Sequence, residues 1–130
     1  MKSRFRLSAA AAAVSLAAIG AVGLAASPAS AGEATCFGYK GNFNQYGATF
    51  VKWENGPDEC FGVAPSGSIW HTWDGAGGWK EMPGNGKALR LAAWGDNPDG
   101  KIVDFVTSSG NHYCNTLWYS NNKWTGWKAC

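Results

Sequence analysis

The groups able to do chemistry in this chain are few and far apart. His71 and His112 are its two imidazoles, and neither lies in a nucleophile or metal-binding motif. Asp58 and Glu59 are adjacent, so a strand sends their carboxylates to opposite faces. A glycosidase's paired carboxylates meet in space rather than in sequence, and no local pattern marks such a pair. Asp96-Asn97-Pro98-Asp99-Gly100 superficially suggests a calcium loop but lacks the alternating acidic ligands and the closing bidentate Glu; it reads as a turn before a strand. The four cysteines, Cys36, Cys60, Cys114 and Cys130, have no C-x-x-C spacing, which argues against zinc. These residues predict a protein that is not an enzyme and uses no metal or cofactor. Tryptophan is the abundant resource: eight indoles, large, stiff and amphipathic, suited to a core or to stacking on the apolar face of a sugar ring.

Two stretches must position most of those indoles. Ile69-Trp70-His71-Thr72-Trp73 runs into Gly77-Gly78-Trp79, and Leu117-Trp118-Tyr119 runs into Lys123-Trp124-Thr125-Gly126-Trp127. Each reads as an aromatic strand, a Gly/Asn turn and a second aromatic strand. The candidate contact residues are therefore Trp70, Trp73, Trp79, Trp118, Tyr119, Trp124 and Trp127. Strand alternation puts residues 69, 71 and 73 on one face and 70 and 72 on the other. One face must be core, which claims about half of the rings. Trp79 and Trp124, placed at turns, are the better surface candidates.

The N-terminus points to export. Lys2, Arg4 and Arg6 precede an apolar run from Leu7 to Ala26, and Ala29-Ser30-Ala31 has the small-residue pattern of a cleavage site. Residues 1–31 are thus expected to be a secretory signal peptide, leaving a single β domain over 32–130 that is secreted and holds no membrane segment. Three of the eleven basic residues lie in that leader, so the remainder carries eight Lys/Arg against nine Asp/Glu, a net charge of −1. No basic cluster survives, which removes the electrostatic basis for nucleic-acid or anionic-membrane binding. An even number of cysteines in an exported domain argues for two disulfides. Three pairings are open; proximity favours Cys36–Cys60 with Cys114–Cys130, each stabilising by about 2–4 kcal/mol.

After residue 31 helical signals are nearly absent. Runs rich in Thr, Val, Phe, Tyr and Trp alternate with Gly, Asn, Asp and Pro, the pattern of an all-β domain. Strands are expected near 35–40, 47–53, 60–64, 68–73, 78–82, 88–94, 102–107, 112–119 and 123–128. Turns are expected at Asn55-Gly56-Pro57, Pro65-Ser66-Gly67, Pro83-Gly84-Asn85-Gly86 and Pro98-Asp99-Gly100. A weak internal repeat sets the run from Phe61 to Trp70 against that from Phe105 to Tyr113. The halves predict two antiparallel sheets of about four strands each, packed as a small disulfide-stapled sandwich.

The run Asp96-Asn97-Pro98-Asp99-Gly100-Lys101-Ile102-Val103-Asp104-Phe105-Val106, followed by Ser109-Gly110-Asn111-His112-Tyr113, resembles one blade of the fucose-binding-type bacterial lectin propellers. The first half resembles the later part of the same blade through Gly67 to Trp73 and Gly77-Gly78-Trp79. With material for two units and cysteines inside the strands, the resemblance implies blade-like sheets rather than a closed propeller. In size, export and β-content the chain is also similar to the small adaptor subunits of secreted umbrella toxin particles. These features imply a binding module whose aromatics contact another secreted or surface protein, or a glycan. The alternative is a secreted inhibitor of an extracellular hydrolase, since Cys60-Phe61-Gly62-Val63-Ala64-Pro65 resembles a segment of the tendamistat-type amylase inhibitors. Their W-R-Y triplet is missing, and Leu117-Trp118-Tyr119 does not replace it.

Overall fold

The computed structural model describes residues 8–9 and 32–130. The rest of the leader reading, including the cleavage site after Ala31, lies outside the described residues. The described chain is built of strands alone: β1 (Ser8–Ala9), β2 (Glu33–Cys36), β3 (Tyr39–Asn42), β4 (Ala48–Val51), β5 (Glu59–Val63), β6 (Ile69–Trp73), β7 (Lys80–Glu81), β8 (Arg90–Asn97), β9 (Gly100–Val106), β10 (His112–Trp118), β11 (Lys123–Trp124) and β12 (Lys128–Ala129). A first antiparallel sheet has the order β4-β5-β6-β7, and a second the order β1-β8-β9-β10-β11, with β12 also on β10. The hairpin β2-β3 stands apart from both. The chain is all-β, a small sandwich stapled by disulfides.

The two sheets bury Val51, Trp53, Phe61, Val63, Ile69, Met82, Leu91, Val103 and Phe105 between them. Edge-to-face contacts cross that core: Phe61 meets Phe105 at 6.2 Å and Trp53 at 6.3 Å. Such pairs contribute beyond the area they bury. The opposite face of the first sheet is covered as well. Ala34, Cys36, Phe43, Ala48 and Cys60 form a second core beneath the β2-β3 hairpin. Every residue of β5 is therefore buried, as only a central strand covered on both faces can be.

Phe43 shows how tightly the hairpin sits. A Cβ on Gly62 would lie 2.6 Å from the Phe43 ring, and one on Gly41 would lie 2.5 Å from it. The ring is held between two bare backbones. Gly62→Ala is expected to cost about 1–3 kcal/mol through overpacking. A denaturant melt reads this directly, and an unchanged midpoint would mean that the hairpin yields freely.

Both favoured cysteine pairs are formed, Cys36–Cys60 and Cys114–Cys130. The first ties the hairpin to β5, the second the C-terminal residue to β10. Disulfides of this kind suit an oxidising, extracellular-type environment. No helix among the described residues is long and apolar enough to cross a membrane.

Three local departures have physical causes. Residues 35–40 are not one strand but the end of β2, a two-residue turn and the start of β3, with Phe37 and Gly38 in the turn both taking positive φ, 54° and 86°. Residues 123–128 form two short pairings on β10, separated where Gly126 takes φ 106°. The third concerns the repeat. Ala64 N donates to Ser68 O (2.9 Å) and Gly67 N to Ala64 O (2.8 Å); Thr107 N donates to Asn111 O and Gly110 N to Thr107 O, both at 2.9 Å. The turns are thus the same, and they align Val63 with Val106, which sets Phe61 against Asp104 rather than Phe105. A one-residue slip exchanges the faces of a strand. The Val63–Ile69 pair points into the main core, while the Val106–His112 pair points away from it.

Candidate functional site

The chemistry-bearing groups are engaged in holding the sheets together. Glu59, on the inner face of β5, is 3% exposed. Its Oε1 accepts from Trp53 Nε1 at 2.9 Å and from Lys101 Nζ at 2.6 Å, and Oε2 lies 2.6 Å from His71 Nδ1. Burial pushes its carboxyl up, but the His71 hydrogen bond and the Lys101 and His71 charges outweigh it and hold the group below the ordinary 4.5. Lys101 comes from β9, so this ion pair bridges the sheets. Its ammonium also lies 5.3 Å from the Trp53 ring and 5.5 Å from that of Trp124. The His71 ring stacks on Phe61 and meets Trp73 and Trp124 edge-on. It is packed among aromatics.

Tyr119 stands at the margin of this cluster, its hydroxyl buried with no hydrogen-bond partner among the described residues. Burial, then the negative charges of Asp96 and Glu59, push its ionisation up to about 12. Because the folded value lies above the ordinary 10.0, the contribution to stability is complete below pH 10 and is lost as pH rises through about 12. Ultraviolet titration is expected to show a late phenolate phase near pH 12, absent in Tyr119→Phe. A wild-type curve without that phase would contradict the assignment.

A second acid–imidazole pair lies on the outer face of the second sheet, with His112 Nδ1 at 2.8 Å and 3.0 Å from the two Asp104 carboxylate oxygens. Asp104 also gathers with Cys114 and Cys130 in a group of metal-ligand spacing. Those two sulfurs are bonded to each other, so neither offers a thiolate to a metal. The Asp96–Gly100 segment forms the expected turn. Asn97 Oδ1 accepts from the backbone N–H groups of Asp99 and Gly100, and Asp96 accepts from Glu54 N and Asn55 N.

The predicted contact residues are spread over several parts of the fold. Trp73, Trp124 and Tyr119 gather around the Glu59 cluster. Trp70 and Trp79 pack against the second core under the hairpin. Trp79 meets Phe43 at 4.6 Å and donates through Nε1 to Tyr39 O at 3.0 Å, so this surface candidate is pinned in place. Trp118 lies on the outer face of the second sheet beside Gly100. Trp53 is buried, the other tryptophans are half-buried, and the exposed large apolar residues are Tyr46, Phe50 and Tyr113. The segment from Cys60 to Val63 that suggested an amylase inhibitor lies within β5 and is buried throughout.

Trp127 leads to an open site. Together with Ile69, Gly86, Lys87, Ala88, Phe105 and Tyr113 it lines a pocket of about 220 Å³. The turn after β7 reaches the sandwich end through the Ser68–Lys87 bridge and the Ala88 N to Gly67 O hydrogen bond. A Cβ on Gly86 would lie 2.5 Å from Trp127 Nε1, and one on Gly84 2.8 Å from its Cδ1. The two glycines therefore give the indole its seat. Trp127 meets Phe105 edge-on at 5.5 Å, and its buried N–H has no acceptor among the described residues. The walls are almost wholly apolar. Lys87 is the charge at the rim, and it forms no ion pair among the described residues.

Of this lining, sequence reasoning singled out Trp127 alone. The signal for the rest was the Pro83-Gly84-Asn85-Gly86 turn, whose paired glycines permit close approach without naming the ring that uses it. The chain matches no protein-family model, no curated protein and no solved structure.

Proposed function

We propose that this chain is a secreted, non-enzymatic binding module that acts as an adaptor by holding a protein partner in an extracellular complex. The observation that carries the reading is the preformed apolar pocket seating Trp127. It is a concave site with an aromatic wall, in a fold whose buried carboxylate and imidazole already serve one another. Glu59 spends its hydrogen-bonding capacity on Trp53, His71 and Lys101, leaving little for a substrate. Interfaces concentrate binding energy where one large side chain fills one dry pocket, and a site of this shape suits that use.

Affinity capture from culture supernatant with the tagged protein, followed by mass spectrometry, tests the reading. Stoichiometric recovery of one protein is the expected result, with a glycan array blank. A blank capture with specific array binding would turn the reading towards a lectin. Equimolar inhibition in an amylase and protease panel would turn it towards an inhibitor.

A further inference from the structure

We infer that the Trp127 pocket receives a leucine- or phenylalanine-sized side chain of a partner segment in which that residue neighbours an Asp or Glu, the carboxylate pairing with Lys87. The inference rests on the binding-module reading and specifies its chemistry. Size is the first argument. Pockets for drug-sized ligands span about 300–1,000 Å³, whereas this one has about 220 Å³, room for a single ring or branched side chain.

Wall chemistry is the second argument. A monosaccharide needs a donor or acceptor for each hydroxyl it buries. Ile69, Ala88, Phe105 and the face of Trp127 supply none, and the side chains of Lys87 and Tyr113 are too few for a ring of hydroxyls. An aliphatic or aromatic side chain loses nothing by entering such walls and gains the transfer energy of its apolar surface.

Charge is the third. Lys87 stands at the mouth with its ammonium 3.3 Å from Ser68 Oγ and no carboxylate partner among the described residues. A cation at the rim of an apolar hole selects for an acid beside the inserted residue and against a base. Because Gly84 and Gly86 fix the indole, the pocket needs no rearrangement before it is filled, which reduces the ordering cost of binding.

Three blocked peptides titrated into the ¹⁵N-labelled full chain test this: acetyl-Asp-Leu-Gly-amide, acetyl-Asn-Leu-Gly-amide and acetyl-Asp-Gly-Gly-amide. The first is expected to bind at about 1 mM, a fragment-scale affinity, shifting the Trp127 indole signal and the Ala88 and Tyr113 amides. The Asn peptide is expected to bind about two- to fivefold more weakly, the scale of an exposed ion pair. The Gly peptide and free fucose or galactose are expected to leave these signals unmoved. Lys87→Glu should remove the preference for Asp over Asn, and Ala88→Phe, which fills the pocket, should abolish binding while the remaining spectrum keeps its dispersion. No shift with the Leu peptides, or shifts from a sugar alone, would overturn the inference. If the peptides fail but supernatant capture survives in Ala88→Phe, this pocket is not the partner's site and the binding-module reading still holds. If capture fails with the unaltered chain as well, both are wrong.

Discussion

Glu59→Ala is expected to destabilise the protein by about 3–5 kcal/mol, the scale seen when one partner of a buried ion pair is removed. The substitution leaves Lys101, whose side chain is 13% exposed, without its counter-charge. It also leaves Trp53 Nε1 and His71 Nδ1 without their acceptor and opens a void in the centre of the sandwich. A domain of this size has about 5–15 kcal/mol in all, so a large share goes with one carboxylate. The pH dependence has a definite sign. Glu59 is held below its ordinary 4.5 when folded, so its contribution is complete above that value and is lost as pH falls through the lower, folded one. Urea melts from pH 7 to pH 2 are expected to show a steeper acid loss in the wild type than in Glu59→Gln. The double variant Glu59→Leu/Lys101→Met separates two accounts. If only the unpaired charge is costly, it recovers much of the single-variant loss. A double variant as weak as Glu59→Ala would instead place the cost in the Trp53 and His71 contacts.

Breaking the Cys36–Cys60 bridge is the other change of this size. Cys36→Ala/Cys60→Ala is expected to cost about 2–5 kcal/mol, because the bond closes a loop spanning 24 residues and anchors the whole hairpin layer. Both cysteines are buried, 5% and 0% exposed, so the alanines leave a gap beneath the hairpin. Freed from it, Trp70 and Trp79 gain solvent, and their fluorescence should move to the red before global unfolding. Cys114→Ala/Cys130→Ala should do less, since it releases only the exposed end of the chain and β12. Equal losses from the two double variants would show that the hairpin adds little beyond loop closure.

Much of this architecture was legible in the residues. The β-rich runs, the Pro/Gly/Asn turns and the cysteine spacing each carry local information, and local information suffices for the all-β class, most of the turns and the two disulfide pairs. The hairpin was missed because its turn uses Phe37 at φ 54°, a conformation that an aromatic side chain rarely adopts. That omission had a consequence for the site. Alternation in Ile69–Trp73 was read as one buried and one open face, yet the unseen hairpin closes the other face over Trp70 and Trp79. Glu59 was set aside as half of an unpromising acid pair, because its role depends on Lys101, which lies 42 residues away in sequence. The pocket was invisible for the same reason. Ile69, Ala88, Phe105, Tyr113 and Trp127 come from separate elements, and no spacing rule joins them.

The double-sided burial of β5 reaches beyond packing, into how this sequence can change over time. A strand with one wet face can vary at every second position; β5 has no such position between Glu59 and Val63. Glu59, Phe61 and Val63 answer to the second sheet, while Cys60 and Gly62 answer to the hairpin. Five consecutive residues are thereby committed at once, so diverging copies of this chain should stay nearly fixed there while the exposed Ser66 and Ser109 turns drift. A sequence motif that survives divergence best in this protein would mark its middle strand rather than the Trp127 pocket.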